Sequence, residues 1–309
     1  MTTPNSELNA WITSHRAELR AYCYRMLGSL HDAEDALQET LLSAWQGLAG
    51  FEGRSSLRSW LYRIATHACL RLLEQRQARI LPRDRGPARV EPGLEPVQEG
   101  VPWLEPYPVG LEASYEQRES LELAFVAALQ HLPPSQRATL VLREVLEFSA
   151  AETAELLGTS VPAVNSALQR AKATVEARVP PQSQQATLAK LGDAARQALV
   201  QAYVEAWGKQ DAAGLVALLT EDARFSMPPI PSWFDGREAV VRFFTEPVFR
   251  QPWRLEPLWA NGQLAFAAYQ GPDFRLGALN VVTLRGGKIA ELTGFLDPAV
   301  HAFFSLPVR

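Results

Sequence analysis

Cysteine is nearly absent. Among 309 residues only Cys23 and Cys69 occur, and their spacing is not that of a metal-ligand set. A disulfide scaffold and a zinc finger are both disfavoured, and a reducing cytoplasm is the natural setting. No apolar run approaches the ~18 residues of a membrane span; the longest resemble Gly214–Leu219. The N-terminus, Met1-Thr-Thr-Pro-Asn-Ser-Glu7, has no basic stretch followed by an apolar core, so no signal peptide is expected. Internal repeats and low-complexity tracts are also missing. What is present is ordinary globular composition, 47% hydrophobic and 21% charged. At ~150 residues per domain this length suggests two domains, or three small ones, large enough to bury cores without staples.

The net charge of −4 conceals an uneven distribution. Residues 1–90 hold 12 arginines, no lysine and 9 acids; residues 91–123 hold one base and 8 acids. The rest of the chain is balanced. Within the first segment, Gly28 to Gly53 carries five acids and no base, and Arg54 to Arg89 carries nine arginines against Glu74 and Asp84. An acidic block followed at once by an arginine-rich one suggests two different partner surfaces side by side. A solvated helix face is the plainer reading of any such run.

The pattern divides the chain into blocks. Residues 8–81 read as helical. Ala33, Leu37, Leu41, Ala44 and Leu48 recur at helical spacing, with Asp32, Glu34 and Asp35 crowding the first turn. A second helix starts near Ser55 or Ser56 and carries Leu57, Trp60, Leu61, Ile64, Ala65, Ala68 and Leu72. Residues 82–115 contain prolines at 82, 87, 92, 96, 102, 106 and 108, and read as an extended acidic linker. Its Val101-Pro-Trp-Leu-Glu-Pro-Tyr-Pro108 stretch, with Trp103 and Tyr107, is expected to dock on something. Residues 116–180 are helical again: Glu116–Leu132, Ser135–Leu146, a short helix from the capping box Ser149-Ala-Ala-Glu152 to Leu157, and a last helix from Val161 to about Val179. A short polar linker, 181–192, leads to an α+β domain over 193–309 with a curved antiparallel sheet. Its strands are expected at Ala223–Met227, Arg254–Trp259, Leu264–Gln270, Phe274–Leu284 and Lys288–Leu296, with Asn261-Gly262 and Gly286-Gly287 as hairpin turns.

Residues 150–172 form a helix-turn-helix signal. Ala154 is small where the helices must cross, Gly158 supplies a positive φ at the turn, and Val164 packs back with Leu157 and Leu168. Ser160 can cap the second helix, and Ala163, Asn165, Ser166, Gln169, Arg170 and Lys172 then face outward. Asn and Gln pair with adenine edges, Arg with guanine edges, and Lys and Ser with phosphate.

The order of these motifs resembles the extracytoplasmic-function sigma factors of bacterial RNA polymerase. The residues that carry the likeness are Asp32-Ala-Glu-Asp-Ala-Leu-Gln-Glu-Thr-Leu-Leu-Ser-Ala-Trp45, Phe51-Glu-Gly-Arg-Ser-Ser-Leu-Arg-Ser-Trp-Leu-Tyr-Arg-Ile-Ala65, and the distal helix-turn-helix preceded by Leu132-Pro-Pro-Ser-Gln-Arg137. These look like sigma regions 2 and 4. The C-terminal domain is similar to the SnoaL-like cone fold through Tyr203-Val-Glu-Ala-Trp207, Phe225-Ser-Met-Pro-Pro229, Trp233-Phe-Asp-Gly-Arg237 and Gly294-Phe-Leu-Asp-Pro298. The resemblance implies a multidomain chain: two all-α DNA-binding domains followed by an α+β cone-shaped domain.

It also implies roles. Asp32, Glu34, Asp35, Gln38, Glu39 and Trp45 would bind the β′ clamp of core RNA polymerase, with the β flap as a second contact. Phe51, Arg54, Ser55, Arg58, Trp60, Arg63, His67 and Arg71 would engage the −10 element of promoter DNA, including a flipped base. Position 67 departs from the asparagine, and position 71 from the acid, that the family pattern leads one to expect. The helix from Ser160 would enter the major groove at −35, and the linker would thread the polymerase channel.

The C-terminal domain leaves alternatives open. Trp207, Phe225, Met227, Trp233, Phe243, Phe244, Tyr269 and Phe295 are candidates to line an apolar pocket for a small ligand, or to form an ordinary core. Asp273, Glu291, Asp297 and His301 are the available acid–base groups, none in a catalytic spacing. The leading expectation is a non-enzymatic sigma factor regulated in cis, with no cofactor, metal or membrane contact. The C-terminal domain would respond to a ligand or protein partner. The competing readings are a one-component ligand-sensing regulator and a cone-fold isomerase or cyclase fused to DNA-binding helices.

Overall fold

A computed structural model describes residues 4–53, 55–98, 100–109, 113–304 and 306. The chain divides into two compact units, 1–79 with 124–180, and 80–123 with 181–309.

The first unit is all-α. Helices α1 (Pro4–Leu27), α2 (Leu30–Gly47) and α3 (Leu57–Gln75) pack as a bundle. Ser29 caps α2 by accepting from the Asp32 amide at 3.1 Å, and Ser56 caps α3 by accepting from the Ser59 amide at 3.0 Å. Ala33, Ala36, Leu37 and Ala44 of α2, and Leu61, Tyr62, Ala65 and Ala68 of α3, are buried. Burial of each large apolar side chain contributes about 1.5–3 kcal/mol. The Tyr22 and Tyr62 rings meet edge-on at 5.3 Å, and the Tyr22 and Thr66 hydroxyls bond at 2.6 Å.

Helix α4 (Tyr115–Glu119) belongs to the second unit. Helices α5 (Leu123–Gln130), α6 (Pro134–Leu140), α7 (Ala150–Leu156) and α8 (Val161–Glu176) complete the first. The continuous helix expected over 116–132 is broken. Its break falls at Ser120–Glu122, where Ser120 closes α4 and the Glu122 side chain is used elsewhere. The helix expected to reach Leu146 is regular only to Leu140, then widens into a π turn over Val141–Val145.

The second unit is α+β. Helices α9 (Gln184–Leu191), α10 (Asp193–Gly208) and α11 (Ala212–Leu218) precede strands β1 (Leu219–Met227) and β2 (Ile230–Asp235). Helix α12 (Arg237–Thr245) and strands β3 (Trp253–Ala260), β4 (Gln263–Gln270), β5 (Arg275–Arg285) and β6 (Lys288–Phe295) follow. A short α13 (Pro298–His301) is capped by Asp297. The six strands run β2-β1-β6-β5-β4-β3; β1 lies parallel to β6 and every other pair is antiparallel. One strand pairing and two elements differ from the sequence reading: β1 runs parallel to β6 in a sheet expected to be antiparallel. Residues 184–191 form a helix capped by Ser183 where a bare linker was expected, and Ile230–Asp235 is an additional edge strand.

One face of the sheet closes over α10, α11 and α12. Tyr203, Trp207, Phe225, Phe234, Phe243, Phe244 and Phe266 share that core, with ring centroids 4.6 Å apart for Tyr203–Phe266 and 5.1 Å for Trp207–Phe244.

Candidate functional site

Asp35, Gln38, Leu42 and Trp45 are exposed at helical spacing along one face of α2. Leu42 is 60% exposed and Trp45 45%, which is unusual for residues this large. The other acids of this helix have partners. Asp32 is buried and held by Arg76 and Arg79, Glu34 lies 3.2 Å from Arg20, and Glu39 is bonded by Arg71. Of the residues expected to form the acidic face, Asp35, Gln38 and Trp45 are therefore displayed, while Asp32 is a structural ion-pair partner. Leu42 was not foreseen, although its place one turn before Trp45 is visible in the sequence.

The −10 candidates sit on and before α3. Phe51 and Trp60 pack at 4.9 Å, and Trp60 also covers the core of Leu8, Ala44 and Leu61. Arg63 and His67 are exposed on α3. Arg71 is drawn to Glu39. Arg58 is half-buried: it donates to the Leu146 carbonyl at 2.9 Å and lies 4.3 Å above the Phe148 ring. Ser55 lines a cleft with Ser59, Trp60, Arg63, Glu152 and Glu155, and Arg54 lies outside the described residues.

The helix-turn-helix is well formed. Ser149 and Glu152 make a reciprocal capping box, Gly158 has φ +60°, and the Ser160 hydroxyl accepts from the Ala163 amide at 3.4 Å. Val164 and Ala171 are buried, while Ala163, Asn165, Ser166, Gln169 and Arg170 are exposed on α8. Lys172 instead pairs with Glu144 at 2.7 Å. Exposed positions 165 and 169 are one turn apart, so two amide side chains face the same way.

In the second unit, the proline-rich segment is not a free strand. Ile80 pairs with Trp103: the Ile80 amide donates to Pro102 O at 3.0 Å and the Leu104 amide to Ile80 O at 2.9 Å. Arg83 bonds Glu291 at 2.6 Å, and the Arg89 amide donates to Trp233 O at 2.7 Å. The Trp233 indole donates to Gly86 O at 2.8 Å. The placement of Trp233 in the pocket lining is thereby corrected. Side chains alternate along β2, so with Phe234 in the core Trp233 faces the linker. By the same alternation Tyr269 and Phe295, though buried, lie outside the aromatic core that Phe266 and Leu292 enter; Trp207, Phe225, Met227, Phe243 and Phe244 are inside it.

The strongest grip on the linker is the β3–β4 turn. Asn261 and Gly262 have φ +53° and +65°, the conformation of a tight hairpin. A Cβ at Gly262 would lie 2.9 Å from the Arg118 carbonyl oxygen, so only glycine fits beneath that backbone. The Asn261 amide donates to Tyr107 O at 2.7 Å, its Oδ1 accepts from the Tyr107 amide at 2.9 Å, and its Nδ2 donates to Leu121 O at 2.8 Å. Gln263 Oε1 accepts from the Leu123 amide at 2.7 Å. The Gln185 side chain donates to Gly262 O at 2.6 Å, and the Gln185 amide donates to Glu122 at 2.9 Å. One turn thus holds both strands of chain that connect this unit to residues 124–180. In the sequence it signalled only a hairpin; the flanking amides Asn261 and Gln263 were the clue to more.

Glu122 is 6% exposed and has no cation in this network. Burial raises its carboxyl from the ordinary 4.5 to about 7, against the lowering effect of the Gln184 and Gln185 amides. A raised value means stability is fully present below pH 4.5 and lost as pH climbs through 7, about 3 kcal/mol in all. Docking of the linker is therefore expected to loosen between pH 5 and pH 8. Glu122→Gln should abolish that dependence; hydrogen exchange at Gln185 read at both pH values checks it.

Three of the four acid–base candidates of this unit are occupied, and Asp273 is exposed. Glu291 is bonded to Arg83, Asp297 caps α13, and His301 bonds Phe295 O at 2.7 Å, with burial holding its imidazole below the ordinary range.

Comparison with known proteins agrees with these elements. Residues 11–79 match the Sigma-70 region 2 model, 122–175 the Sigma-70, region 4 model, and 200–292 a SnoaL-like domain. The ECF RNA polymerase sigma factor SigG of Mycobacterium tuberculosis is 42% identical over 313 residues, spanning 97% of this chain and 84% of the relative. SigJ of the same organism is 28% identical over 298 residues, spanning 92% and 89%. The crystal structure of Mycobacterium tuberculosis SigJ aligns with 96% of this chain and 99% of its own at TM-score 0.61 and 22% identity, a likeness of fold. Neither alternative, the ligand-sensing regulator or the fused isomerase, is favoured by such full-length relatives. The chain belongs to the ECF RNA polymerase sigma factors, with regions 2 and 4 and a SnoaL-like domain in one polypeptide.

Proposed function

We propose that this chain binds core RNA polymerase and directs it to promoters, and that its C-terminal domain regulates this in cis by holding the linker. The exposed stripe Asp35, Gln38, Leu42 and Trp45 is the surface for the polymerase clamp. The region from Phe51 through α3 engages the −10 element, and α8 reads the −35 element with Asn165, Gln169 and Arg170 at base edges. The observation that carries the regulatory part is the Asn261–Gln263 turn, which bonds Tyr107, Leu121 and Leu123 of the linker. A linker meant to thread the polymerase channel has to leave this turn first. Multi-round transcription with core polymerase tests it: Asn261→Ala should raise transcript yield at limiting protein, and unchanged yield with a demonstrably released linker would refute cis regulation.

The −35 reading gives its own expectation. Asn165→Ala and Gln169→Ala should each weaken binding to a duplex selected from a random pool by about tenfold, a single base contact being worth about 1–3 kcal/mol. Both residues are exposed, so thermal stability should not move. Band-shift titration checks this.

A further inference from the structure

One ion pair joins two surfaces of the first unit. Glu39 lies on α2, four residues after Asp35 and three before Leu42, so it borders the stripe assigned to the polymerase clamp. Arg71 lies on α3, one turn beyond His67 and two beyond Arg63, on the face assigned to the −10 element. Helix α2 holds no arginine or lysine of its own, and the cation that reaches Glu39 comes from α3.

Exposure sets this pair apart from its neighbour. The Asp32 side chain is 6% exposed and held by Arg76 and Arg79, so its charge cannot be traded without leaving a buried ion alone. The side chains of Arg71 and Glu39 are 58% and 40% exposed. An ion pair this open to water shifts an equilibrium by at most about fivefold, so an incoming partner can exchange it. One N–H group of Arg71 is on Glu39, and the rest of its fork is open to a second acceptor. What Glu39 withholds is charge and not reach. A phosphate that bonds Arg71 also feels the Glu39 carboxylate, and the two anions repel. A polymerase surface that receives an acidic stripe presents cations to it. Such a cation beside Glu39 takes over the charge that Arg71 has been neutralising, and Arg71 then offers its full charge to DNA.

We propose that Glu39 is a positioning residue for Arg71, and that polymerase bound at the α2 stripe passes Arg71 to a phosphate of −10 DNA. This rests on reading the stripe as the clamp surface and α3 as the −10 surface. Polymerase and promoter then favour each other's binding by one common factor, because coupling between sites is reciprocal.

The test uses the full chain, free and loaded on saturating core polymerase, with a forked DNA selected from a random pool by the loaded chain. In the loaded chain Arg71→Ala should weaken fork binding about fivefold and lower the slope of log affinity against log salt by about one. In the free chain the same substitution should change affinity by less than about twofold, its charge being offset already. Glu39→Gln should tighten fork binding by the free chain about threefold and leave the loaded chain unchanged. In an Arg71→Ala background it should do nothing. Arg71→Lys keeps the charge and should retain the difference between free and loaded chain. Both side chains are exposed, so neither substitution should unfold the bundle. Arg63→Ala should weaken fork binding in both forms; if it does not, the −10 reading fails and the proposal with it. Trp45→Ala should weaken polymerase binding; if it does not, the clamp reading fails, with the same consequence. With both controls as expected, an equal loss for Arg71→Ala in free and loaded chain, or no tightening by Glu39→Gln, would overturn the proposal.

Discussion

Asn261→Ala is expected to free the linker from the C-terminal domain. The substitution strands two buried groups, the Tyr107 amide and the Leu121 carbonyl, that the Asn261 side chain satisfies at 2.9 and 2.8 Å. Each orphaned buried group costs about 1–3 kcal/mol. Alanine also sits less well than asparagine at φ +53°, adding about 1 kcal/mol. The sum is about 3–7 kcal/mol, enough to raise the population of released linker by about two to five orders of magnitude. Hydrogen exchange at Leu104 and Tyr107 should accelerate accordingly, and a protease should gain a cut near Val101–Val109. Asn261→Asp keeps the acceptor for Tyr107 and loses the donor to Leu121, so it should fall between wild type and alanine. Exchange at Tyr107 unchanged in Asn261→Ala would mean that the turn does not hold the linker.

Arg137→Ala is expected to give the largest loss of stability in the first unit. This side chain is 2% exposed. It donates to Met26 O, to Gln130 Oε1 at 2.7 Å, to Gln130 O at 3.1 Å and to Leu132 O at 3.2 Å. Gln130 in turn donates to Arg25 O at 3.3 Å. Arg137 therefore ties the end of α1 to the α5–α6 turn. Burial lowers its pKa from 12.5 to about 10, and it remains charged at neutral pH. Removing it leaves a ring of buried carbonyls without donors, at a cost of about 3–5 kcal/mol. For a unit of this size that corresponds to about 10 °C in Tm. Arg137→Lys restores the charge without the planar fork and should recover less than half. Near-UV circular dichroism during heating reads both, and a shift under 2 °C for the alanine variant would show that the network is dispensable.

Much of this was legible in the sequence because the signals are local. The capping box at Ser149 and Glu152, the positive φ of Gly158 and the helical spacing of Ala33, Leu37 and Ala44 each act within a few residues. Asn261-Gly262 was legible as a hairpin for the same reason. What the turn grips was not, because Tyr107 and Leu121 lie more than a hundred residues away. The fate of charged groups was equally hidden. Asp32, Glu39 and Arg71 read as partner-facing residues, yet each finds an opposite charge across the bundle. Trp233 was misplaced because β2 was not foreseen, and without a strand there is no alternation to assign its face.

The chain is expected to act only through core polymerase. The most direct measurement is multi-round transcription from a promoter that the protein itself selects, with core polymerase, the chain, or both. Transcripts are expected only when both are present, reduced about tenfold by Asn165→Ala or Gln169→Ala. A chain that binds duplex DNA yet neither binds core polymerase nor starts a transcript would contradict it and would return the helix-turn-helix to an ordinary operator reader.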